Sequence, residues 1–488
     1  MRQANPNSSL FDGARIGVVG LGKSGLAVCE ALDELDGVAL GLFDANEERL
    51  DLAECTAETR YAHSDNTRLA DAVSDFDPDI VIPAPGIAEV DPLFAMCGAR
   101  GVQMMSEIDL AWHLRALDSE GQGAPWLCVT GTNGKTTTAS MTAAILSEAG
   151  LGGQALGNIG NPAVYETRRT DEDAYDAFVL ELSSFQLRTT SAMKPEASVC
   201  LNFADDHLEW HGSRQAYHDA KARIYNNVRT AGVYPLGDPS VQSMIDTADM
   251  QSGARAVGLT YGVPGVGQIG LVEDIVVDRA FVDQPDTHAC ELFTLDDIAH
   301  LAPTGSSLPP HILSDALAAA ALARSLDIAP DVIVRALASF PAGNHRIELV
   351  AEHGGVRYID DSKATNAHAA QASLNAQEDK SVIWIVGGLA KGARFTELVA
   401  SIRHKLAGVV VIGTDQSPWR EALAQCDDIP VRYIDPSCSE PMGEAVTQAS
   451  HLAHPGQTVL LAPACASMDQ FASYAERGDK FASAAKAL

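Results

Sequence analysis

The chain has 488 residues, more than one hydrophobic core usually organises, so we expect about three domains. Its 34 Lys and Arg residues face 65 Asp and Glu residues, and the formal net charge of -31 argues against nucleic acid and anionic membranes as partners. The nine cysteines show no C-x-x-C spacing, so neither a zinc site nor a disulfide framework is expected. No apolar run approaches about 20 residues and no signal-like segment opens the sequence, which predicts a soluble cytoplasmic protein without stable membrane contact.

A Rossmann-type pattern comes first. The segment ARIGVVGLGKSGLAVCEAL predicts a short strand and a helix joined by glycines in G-x-G-x-x-G spacing. Asp44 ends the next predicted strand, where such domains place an acidic ribose ligand, and a later strand ends in the turn Pro85-Gly86. Any nucleotide diphosphate can use this helix start, so an NAD-dependent dehydrogenase and a binder of another nucleotide both remain open.

The segment WLCVTGTNGKTTT predicts a phosphate-binding loop between a buried strand and a helix. Gly131 and Gly134 let the backbone fold around an anion, Lys135 can reach terminal phosphates, and the Thr136 hydroxyl can ligate Mg²⁺. The first glycine of the full Walker pattern is replaced by Val129. The alternative is a plain strand-to-helix turn with an incidental lysine.

Polar residues follow the next predicted strands. Glu181 lies at the carboxyl end of the strand predicted in AFVLELSSFQL, and His207 lies in the following segment SVCLNFADDHLEWHG, so both are candidates for metal ligands beside a phosphate loop. Each could instead be an ordinary polar cap at a strand end. Lys221 lies in the predicted helix YHDAKARIYNN, where the pattern alone indicates a solvated lysine.

The remaining sequence predicts another α/β unit. The segments VRYIDDSKATN, SVIWIVGGLAKG and GVVVIG predict strands that alternate with helical stretches, so the chain holds three α/β units in a row. We place the domains at residues 1–112, 113–342 and 343–488.

Eight motifs in this order resemble the Mur ligase family: GTNGKTT, GNIGNP, LELSSFQL, ADDHLEW, AKARIY, GNHR, DDSKATN and APACASMDQF. The resemblance covers nearly the whole chain. DSKATN followed by ACASMDQF is similar to the branch of the family that adds D-glutamate.

The resemblance implies an α/β fold of three domains: an N-terminal Rossmann-like domain holding UDP, a central P-loop ATPase-like domain holding ATP, and a C-terminal Rossmann-like domain contacting the amino acid. It implies an ATP-dependent amide ligase that joins D-glutamate to UDP-N-acetylmuramoyl-L-alanine through an acyl phosphate, in cytoplasmic peptidoglycan precursor synthesis, and working as a monomer. Another amino-acid-adding Mur ligase and a folylpolyglutamate synthase-like ligase are the alternatives. The latter should lack GLGKSG and DSKATN, which are both present. A nucleotide-binding regulator without catalysis would not need Glu181, Lys221 and Lys363.

The resemblance also implies roles for individual residues. The catalytic residues would be Lys135, His207, Lys221 and Lys363. ATP would be held by Gly131, Thr132, Asn133, Gly134, Lys135, Thr136, Thr137, Asp315, Arg346 beside His345, and Asp361. UDP-N-acetylmuramoyl-L-alanine would be held by Lys23, Ser24, Asp44, Pro85, Gly86, Asn158 and His207. D-glutamate would be held by Thr365, Lys391, Ser467 and Tyr474. Two Mg²⁺ ions would be served by Thr136, Glu181, His207 and Lys221, the last as a carbamate formed with CO₂.

One motif departs from the family. Where H-N-x-x-N is usual, this chain has His311, Ile312 and Asp315, so both asparagines are missing. An ionised Asp315 can only accept hydrogen bonds. We therefore expect one adenine contact to be lost, ATP to stay preferred over GTP, and Asp315→Asn to tighten ATP binding.

Overall fold

The computed structural model describes residues 10–171, 174–302, 308–341 and 347–488. The chain forms two compact units, Met1–Ile298 with Pro310–Phe340, and Ala299–Pro309 with Pro341–Leu488. Residues 345 and 346, expected near ATP, lie outside the described residues.

The first sheet has five parallel strands in the order β3-β2-β1-β4-β5. Its strands are β1 Arg15–Val19, β2 Ala39–Asp44, β3 Thr59–Ala62, β4 Ile80–Pro83 and β5 Gln103–Met104. Its helices are α1 Lys23–Asp33, α2 Glu47–Asp51, α3 Asn66–Phe76, α4 Pro92–Arg100 and α5 Glu107–Leu114. The strand order reverses between β1 and β4, and open α/β sheets bind ligands at such a crevice.

The central sheet has nine strands in the order β14-β13-β12-β11-β10-β9-β6-β8-β7. Its strands are β6 Trp126–Thr130, β7 Gly153–Gly157, β8 Ala177–Glu181, β9 Ala197–Cys200, β10 Ala231–Pro235, β11 Arg255–Leu259, β12 Gln268–Val272, β13 Ile275–Asp278 and β14 Cys290–Thr294. Its helices are α6 Lys135–Glu148, α7 Ala163–Glu166, α8 Ser184–Leu187, α9 Leu208–His211, α10 Arg214–Ala222, α11 Pro239–Asp246, α12 Pro310–Arg324 and α13 Pro330–Ala338. Only the β12–β13 and β13–β14 pairs are antiparallel.

The third sheet has six strands in the order β15-β16-β20-β17-β18-β19, and β15 alone is antiparallel to its neighbour. Its strands are β15 Glu348–His353, β16 Val356–Asp360, β17 Val382–Gly387, β18 Leu406–Ile412, β19 Val431–Tyr433 and β20 Thr458–Leu461. Its helices are α14 Ala367–Asn375, α15 Thr396–Ile402, α16 Ser417–Ala422, α17 Pro441–Leu452 and α18 Tyr474–Lys486. Short 3₁₀ turns cover Arg223–Tyr225, Asp296–Leu301 and Arg403–Lys405.

Three parallel-rich sheets with helices between their strands confirm the predicted α/β class. One hydrophobic cluster extends from Phe11 and the first sheet through α5 to Trp126 and Ile245, so the first two sheets share a core. The boundary expected after residue 112 lies within the bounds of α5, and the division into domains at that point stays a prediction. In the third sheet, alternate residues of β17 pack into two clusters on opposite faces, which explains its continuous apolar sequence. Within the described ranges, no helix combines the length and apolar character that crossing a membrane requires.

Candidate functional site

The phosphate loop leaves β6 and enters α6 through two glycines in left-handed conformations. Gly131 has φ 152° and Gly134 has φ 86°, which side chains rarely permit. Gly134 is the N-cap of α6 and makes no side-chain capping bond, and α6 has no acidic residue in its first turn. The amides at this helix start therefore suit an anion.

The segment after β9 and helix α10 hold the loop in shape. The amide of Asn133 donates to Asn202 Oδ1 (2.9 Å), and Thr132 Oγ1 lies 3.1 Å from the Tyr217 hydroxyl. Lys135 Nζ folds over the loop and donates to the carbonyls of Gly131 (2.9 Å) and Thr132 (3.0 Å). Burial lowers the pKa of the Lys135 amine. The loop thus presents backbone amides and one lysine around the same space.

Lys221 is buried, and its pattern-based interpretation as a solvated lysine is wrong. Its side chain is 2% exposed, and Nζ donates to the Gly131 carbonyl (2.8 Å) with Thr130 Oγ1 at 3.4 Å. Burial first, and then the positive charge of Lys135, lower the pKa of the Lys221 amine to about 7. The helix face that carries Lys221 packs against the phosphate loop, so α10 delivers a second lysine to the loop from behind.

Glu181 lies at the edge from which the loop leaves the sheet. The strand register places it opposite Val129 on one side and Gly157 on the other. Its side chain is buried, and Oε1 accepts from Asn158 Nδ2 (2.9 Å). Its Oε2 is buried and has no hydrogen-bond partner among the described residues. A buried carboxylate oxygen without a hydrogen-bond partner is suited to bind a cation.

His207 caps the N-terminus of α9 with φ 53° and is partly exposed. Its Nε2 lies 3.6 Å from Asp206 Oδ2, and its ring centroid lies 4.7 Å from that of Phe185. Among the described residues, no group of three or more His, Cys, Asp and Glu side chains is arranged to hold a metal. Ligands for Mg²⁺ would therefore have to come in part from phosphate oxygens, hydroxyls or a modified lysine.

Helix α12 brings Asp315 to the phosphate loop. Asp315 Oδ1 accepts from the Thr138 hydroxyl (3.2 Å), and a Cβ on Gly134 would lie 2.3 Å from the same oxygen. Asp315 and Ile312 are both buried. The carboxylate that replaces the family's asparagine is thus packed against the loop that is expected to bind phosphates.

A cavity of about 690 Å³ opens at the β1–β4 crevice and extends to the segment after β7. It is lined by the expected residues Lys23, Ser24, Asp44, Pro85, Gly86 and Asn158. Asp44 accepts from the amides of Leu21 (2.5 Å) and Asn46 (2.8 Å), and Lys23 Nζ donates to the Gly160 carbonyl (2.6 Å). The structure therefore joins the glycine-rich start of α1 and the GNIGNP segment around one space.

The sequence interpretation missed Arg49 and Asn66, which also line this cavity. The Arg49 guanidinium lies 3.9 Å from the place a Cβ on Gly22 would take, at the start of α1. No motif marks either residue, because α2 and α3 must pack on the sheet before their side chains reach the crevice.

In the second unit the residues that are expected to bind the amino-acid substrate lie on neighbouring loops. Ser362 Oγ donates to the Tyr474 carbonyl (2.7 Å), and Lys363 Nζ lies 5.5 Å from the centre of the Tyr474 ring. Thr365 donates its amide to the Lys363 carbonyl (2.8 Å). A β-bridge between Leu389 and Ala466 joins the loop of Lys391 to that of Ser467. Asp361, expected near the nucleotide, is buried and accepts from Ser373 Oγ.

Arg477 was also missed. It is fully buried on α18, and its Nε donates to Ser362 Oγ (3.0 Å). Its two terminal nitrogens donate to the carbonyls of Cys465 (3.0 Å) and Ser362 (2.8 Å). It therefore ties the DSKATN loop to the ACASMDQF loop, and no sequence signal distinguishes it from a surface arginine of a helix.

Comparison with known proteins finds two matching family models and relatives that match over nearly the whole chain. The family models of the Mur ligase middle domain and of the Mur ligase glutamate ligase domain match residues 129–280 and 345–465. A UDP-N-acetylmuramoylalanine--D-glutamate ligase of Streptomyces coelicolor is 43% identical over 98% of this chain and 99% of its own length. The ligase of the same name from Thermobifida fusca is 41% identical over 98% of this chain and 99% of its own length.

Solved structures resemble the fold at lower identity. The MurF ligase of Thermotoga maritima in complex with ADP has a TM-score of 0.54 at 15% identity, covering 98% of this chain and 96% of its own. The UDP-N-acetylmuramate-alanine ligase of the same organism has a TM-score of 0.51 at 18% identity, covering 97% of this chain and 99% of its own. The full-length relatives, the two family models and the phosphate-loop site place this chain in the Mur ligase family.

Proposed function

We propose that the chain is an ATP-dependent ligase that adds D-glutamate to UDP-N-acetylmuramoyl-L-alanine. The observation that carries this proposal is the position of Asn158. It lines the cavity at the start of α1 and also donates to Glu181 beside the phosphate loop. A substrate whose nucleotide fills the cavity can therefore extend its other end toward the phosphates of ATP. The relatives at 43% and 41% identity carry this activity in their names.

The phosphate loop performs the first step. The amides of Gly131 to Thr136 and the Lys135 ammonium hold the β- and γ-phosphates, while a carboxylate oxygen of the L-alanyl group attacks the γ-phosphorus. The bond from that phosphorus to the β–γ bridging oxygen breaks, which gives ADP and an acyl phosphate. The chain's contribution is to place two anions in line and to offset their charge.

The second step makes the amide. The neutral amine of D-glutamate attacks the acyl carbon, the C–O bond to phosphate breaks, and the amine loses a proton. Thr365, Lys391, Ser467 and Tyr474, with Lys363, supply the cationic and hydroxyl groups that two carboxylates of the amino acid need. Net, ATP and two substrates give amide, ADP, phosphate and a proton.

The residues present fit Mg²⁺. Glu181, with its unpartnered Oε2, Thr136 and His207 would hold it together with a carbamate on Lys221. Bound Mg²⁺ would supply positive charge against the phosphoryl oxygens.

Lys221 is suited to react with CO₂. Only the neutral amine can attack CO₂, and a pKa of about 7 leaves a large neutral fraction near neutral pH. The product carbamate carries a negative charge beside the loop and removes the buried cation. Protein incubated with ¹³C-bicarbonate should show a carbamate carbon resonance that Lys221→Gln lacks. Identical spectra for both proteins would refute the modification.

The first domain should bind UDP and not NAD. The start of α1 supplies amides for a diphosphate, and the cavity continues toward the phosphate loop, where a second nucleotide belongs. Calorimetric titration should give heat with UDP and none with NAD. Micromolar NAD binding without UDP binding would overturn this assignment.

The proposed activity is tested by ADP release. The protein is incubated with ATP, Mg²⁺ and UDP-N-acetylmuramoyl-L-alanine, and D- and L-amino acids are added singly. We expect release to depend on D-glutamate. Equal release with L-glutamate or with a diamino acid would assign another family activity, and release with dihydropteroate and L-glutamate would favour the folate-type ligase.

A further inference from the structure

Glu89 links the rim of the cavity to the helix that carries His207. It follows the Pro85-Gly86 turn, whose residues line the cavity. Its Oε1 lies 2.5 Å from Arg188 Nε, and its Oε2 lies 3.2 Å from His211 Nδ1. Its amide donates to the Trp210 carbonyl (3.0 Å). All of these contacts join the first sheet's loop to elements of the central sheet.

The contact continues through His211 to α8. The His211 side chain is fully buried, and its Nε2 lies 3.0 Å from Ser184 Oγ. An ionised carboxylate can only accept, so Nδ1 carries the proton facing Glu89 and neutral His211 accepts from the Ser184 hydroxyl. These three side chains form the Glu89–His211–Ser184 chain, which fixes α8 against α9.

This arrangement also orients His207. Phe185 follows Ser184, and its ring lies 4.7 Å from that of His207 and 4.5 Å from that of Trp210. His207 caps α9, and His211 ends the same helix. A shift of α8 relative to α9 would therefore change the contact between the Phe185 and His207 rings. The Glu89–His211–Ser184 chain thus couples the position of the cavity rim to the position of His207.

We propose that Glu89 is a positioning residue of the ligase reaction, acting through His211 and Ser184 to hold His207 and the cavity rim in a fixed relation. This inference rests on the proposed function. The role of Glu89 is to keep the L-alanyl end of the bound substrate in line with the phosphate to be transferred, since small misplacements slow such a step strongly.

The test compares Glu89→Ala with a matched control. Glu30→Ala removes another carboxylate that joins the two sheets, through its bond from the Tyr165 hydroxyl (2.6 Å), which lies on α7 and not on α8 or α9. We expect Glu89→Ala to lower kcat on the order of ten- to a hundredfold and to raise KM for the UDP-linked substrate, with KM for ATP within about twofold. Glu30→Ala should leave kcat within about twofold of wild type.

Two further variants separate positioning from folding. In Glu89→Gln the amide oxygen can still accept from His211, so we expect most of the lost kcat to return although the ion pair with Arg188 is gone. Ser184→Ala cuts the chain at its other end without removing a charge, and should lower kcat in the same direction even where Glu89→Ala folds poorly. Thermal midpoints are recorded for every variant.

Three results would overturn the proposal. The first is a lowered thermal midpoint for Glu89→Ala while its kcat equals that of Glu30→Ala. The others are a Glu89→Gln variant as slow as Glu89→Ala, and a Ser184→Ala variant with the kcat of wild type. Failure of the proposed function is distinguishable, because wild type itself would then release no ADP with D-glutamate.

Discussion

Lys135 lies folded over the loop that α6 and β6 frame, with its ammonium on two loop carbonyls. We expect Lys135→Ala to lower ADP formation on the order of a hundredfold or more, because a positioned charge on the transferring phosphate is lost. Binding of UDP-N-acetylmuramoyl-L-alanine should stay nearly intact, since Lys135 does not line the cavity. Steady-state kinetics and calorimetry check both expectations. Wild-type turnover in the variant would contradict the assignment.

Asp315 sets a carboxylate against Gly134, where phosphates are expected. Asp315→Asn removes a negative charge that repels ATP, while the new amide oxygen can still accept from Thr138. We expect the ATP dissociation constant to fall about fivefold, a free-energy change on the order of 1 kcal/mol.

Calorimetric titration with ATP measures the effect of Asp315→Asn. The matched control is Asp331→Asn, which removes an exposed carboxylate paired with Arg335 on α13. Unchanged or weaker ATP binding in Asp315→Asn would show that this carboxylate does not face the nucleotide.

Single residues show how far sequence patterns reach. The positions of the phosphate-loop glycines and of Glu181 in the fold could be predicted, because each lies at the end of a buried strand that the sequence marks. Lys221 could not, because a local helical pattern cannot show that its face packs on a loop 90 residues earlier in the chain. The positions of Arg49 and Arg477 could not be predicted either, because their contacts come from tertiary packing alone.

At the scale of elements, α5 joins the first two sheets through a buried acid. Glu107 Oε1 accepts from the Val164 amide (2.7 Å) at the start of α7, and burial raises the pKa of Glu107 to about 7 from the ordinary 4.5. The folded state thus binds a proton that the unfolded state releases. The stability it contributes is full below about pH 4.5 and is lost as the pH rises toward 7.

Glu107→Gln should remove this pH dependence. Relative to the variant, wild type should lose on the order of 3 kcal/mol of unfolding free energy between pH 4.5 and 7, and the difference should stay constant above that. Urea unfolding at several pH values measures it, with Glu48→Gln, an exposed acid on α2, as control. A difference between wild type and Glu107→Gln that does not vary with pH would contradict the prediction.

The strands were largely predictable, and the limits of the domains stay a prediction. Apolar runs such as VIWIVG and WLCVT are buried on both faces, so their composition marks them as central strands. The helix SEIDLAWHL contains the expected boundary after residue 112. Its apolar residues Ile108 and Leu110 pack in the core that both sheets share, and no local pattern reveals which sheet a helix covers.

At the scale of the whole molecule, the proposed function requires one order of reactions, phosphoryl transfer followed by amide formation. A chain with a net charge of -31 must gather two anionic substrates and ATP, so its few cations are placed where phosphates and carboxylates are expected. Lys135 and Lys221 meet at the phosphate loop. Lys23 and Arg49 line the cavity at the start of α1, where the nucleotide of the other substrate is expected.

Transfer of ¹⁸O tests this sequence most directly. The substrate is UDP-N-acetylmuramoyl-L-alanine with ¹⁸O in both oxygens of its terminal carboxylate. It is converted with ATP and D-glutamate, and mass spectrometry measures the ¹⁸O content of the inorganic phosphate and of the amide product. An acyl phosphate requires one labelled oxygen in each phosphate released and one in the new amide. Formation of the amide with unlabelled phosphate, the displaced ¹⁸O appearing in another product such as water, would contradict the proposed ligase mechanism.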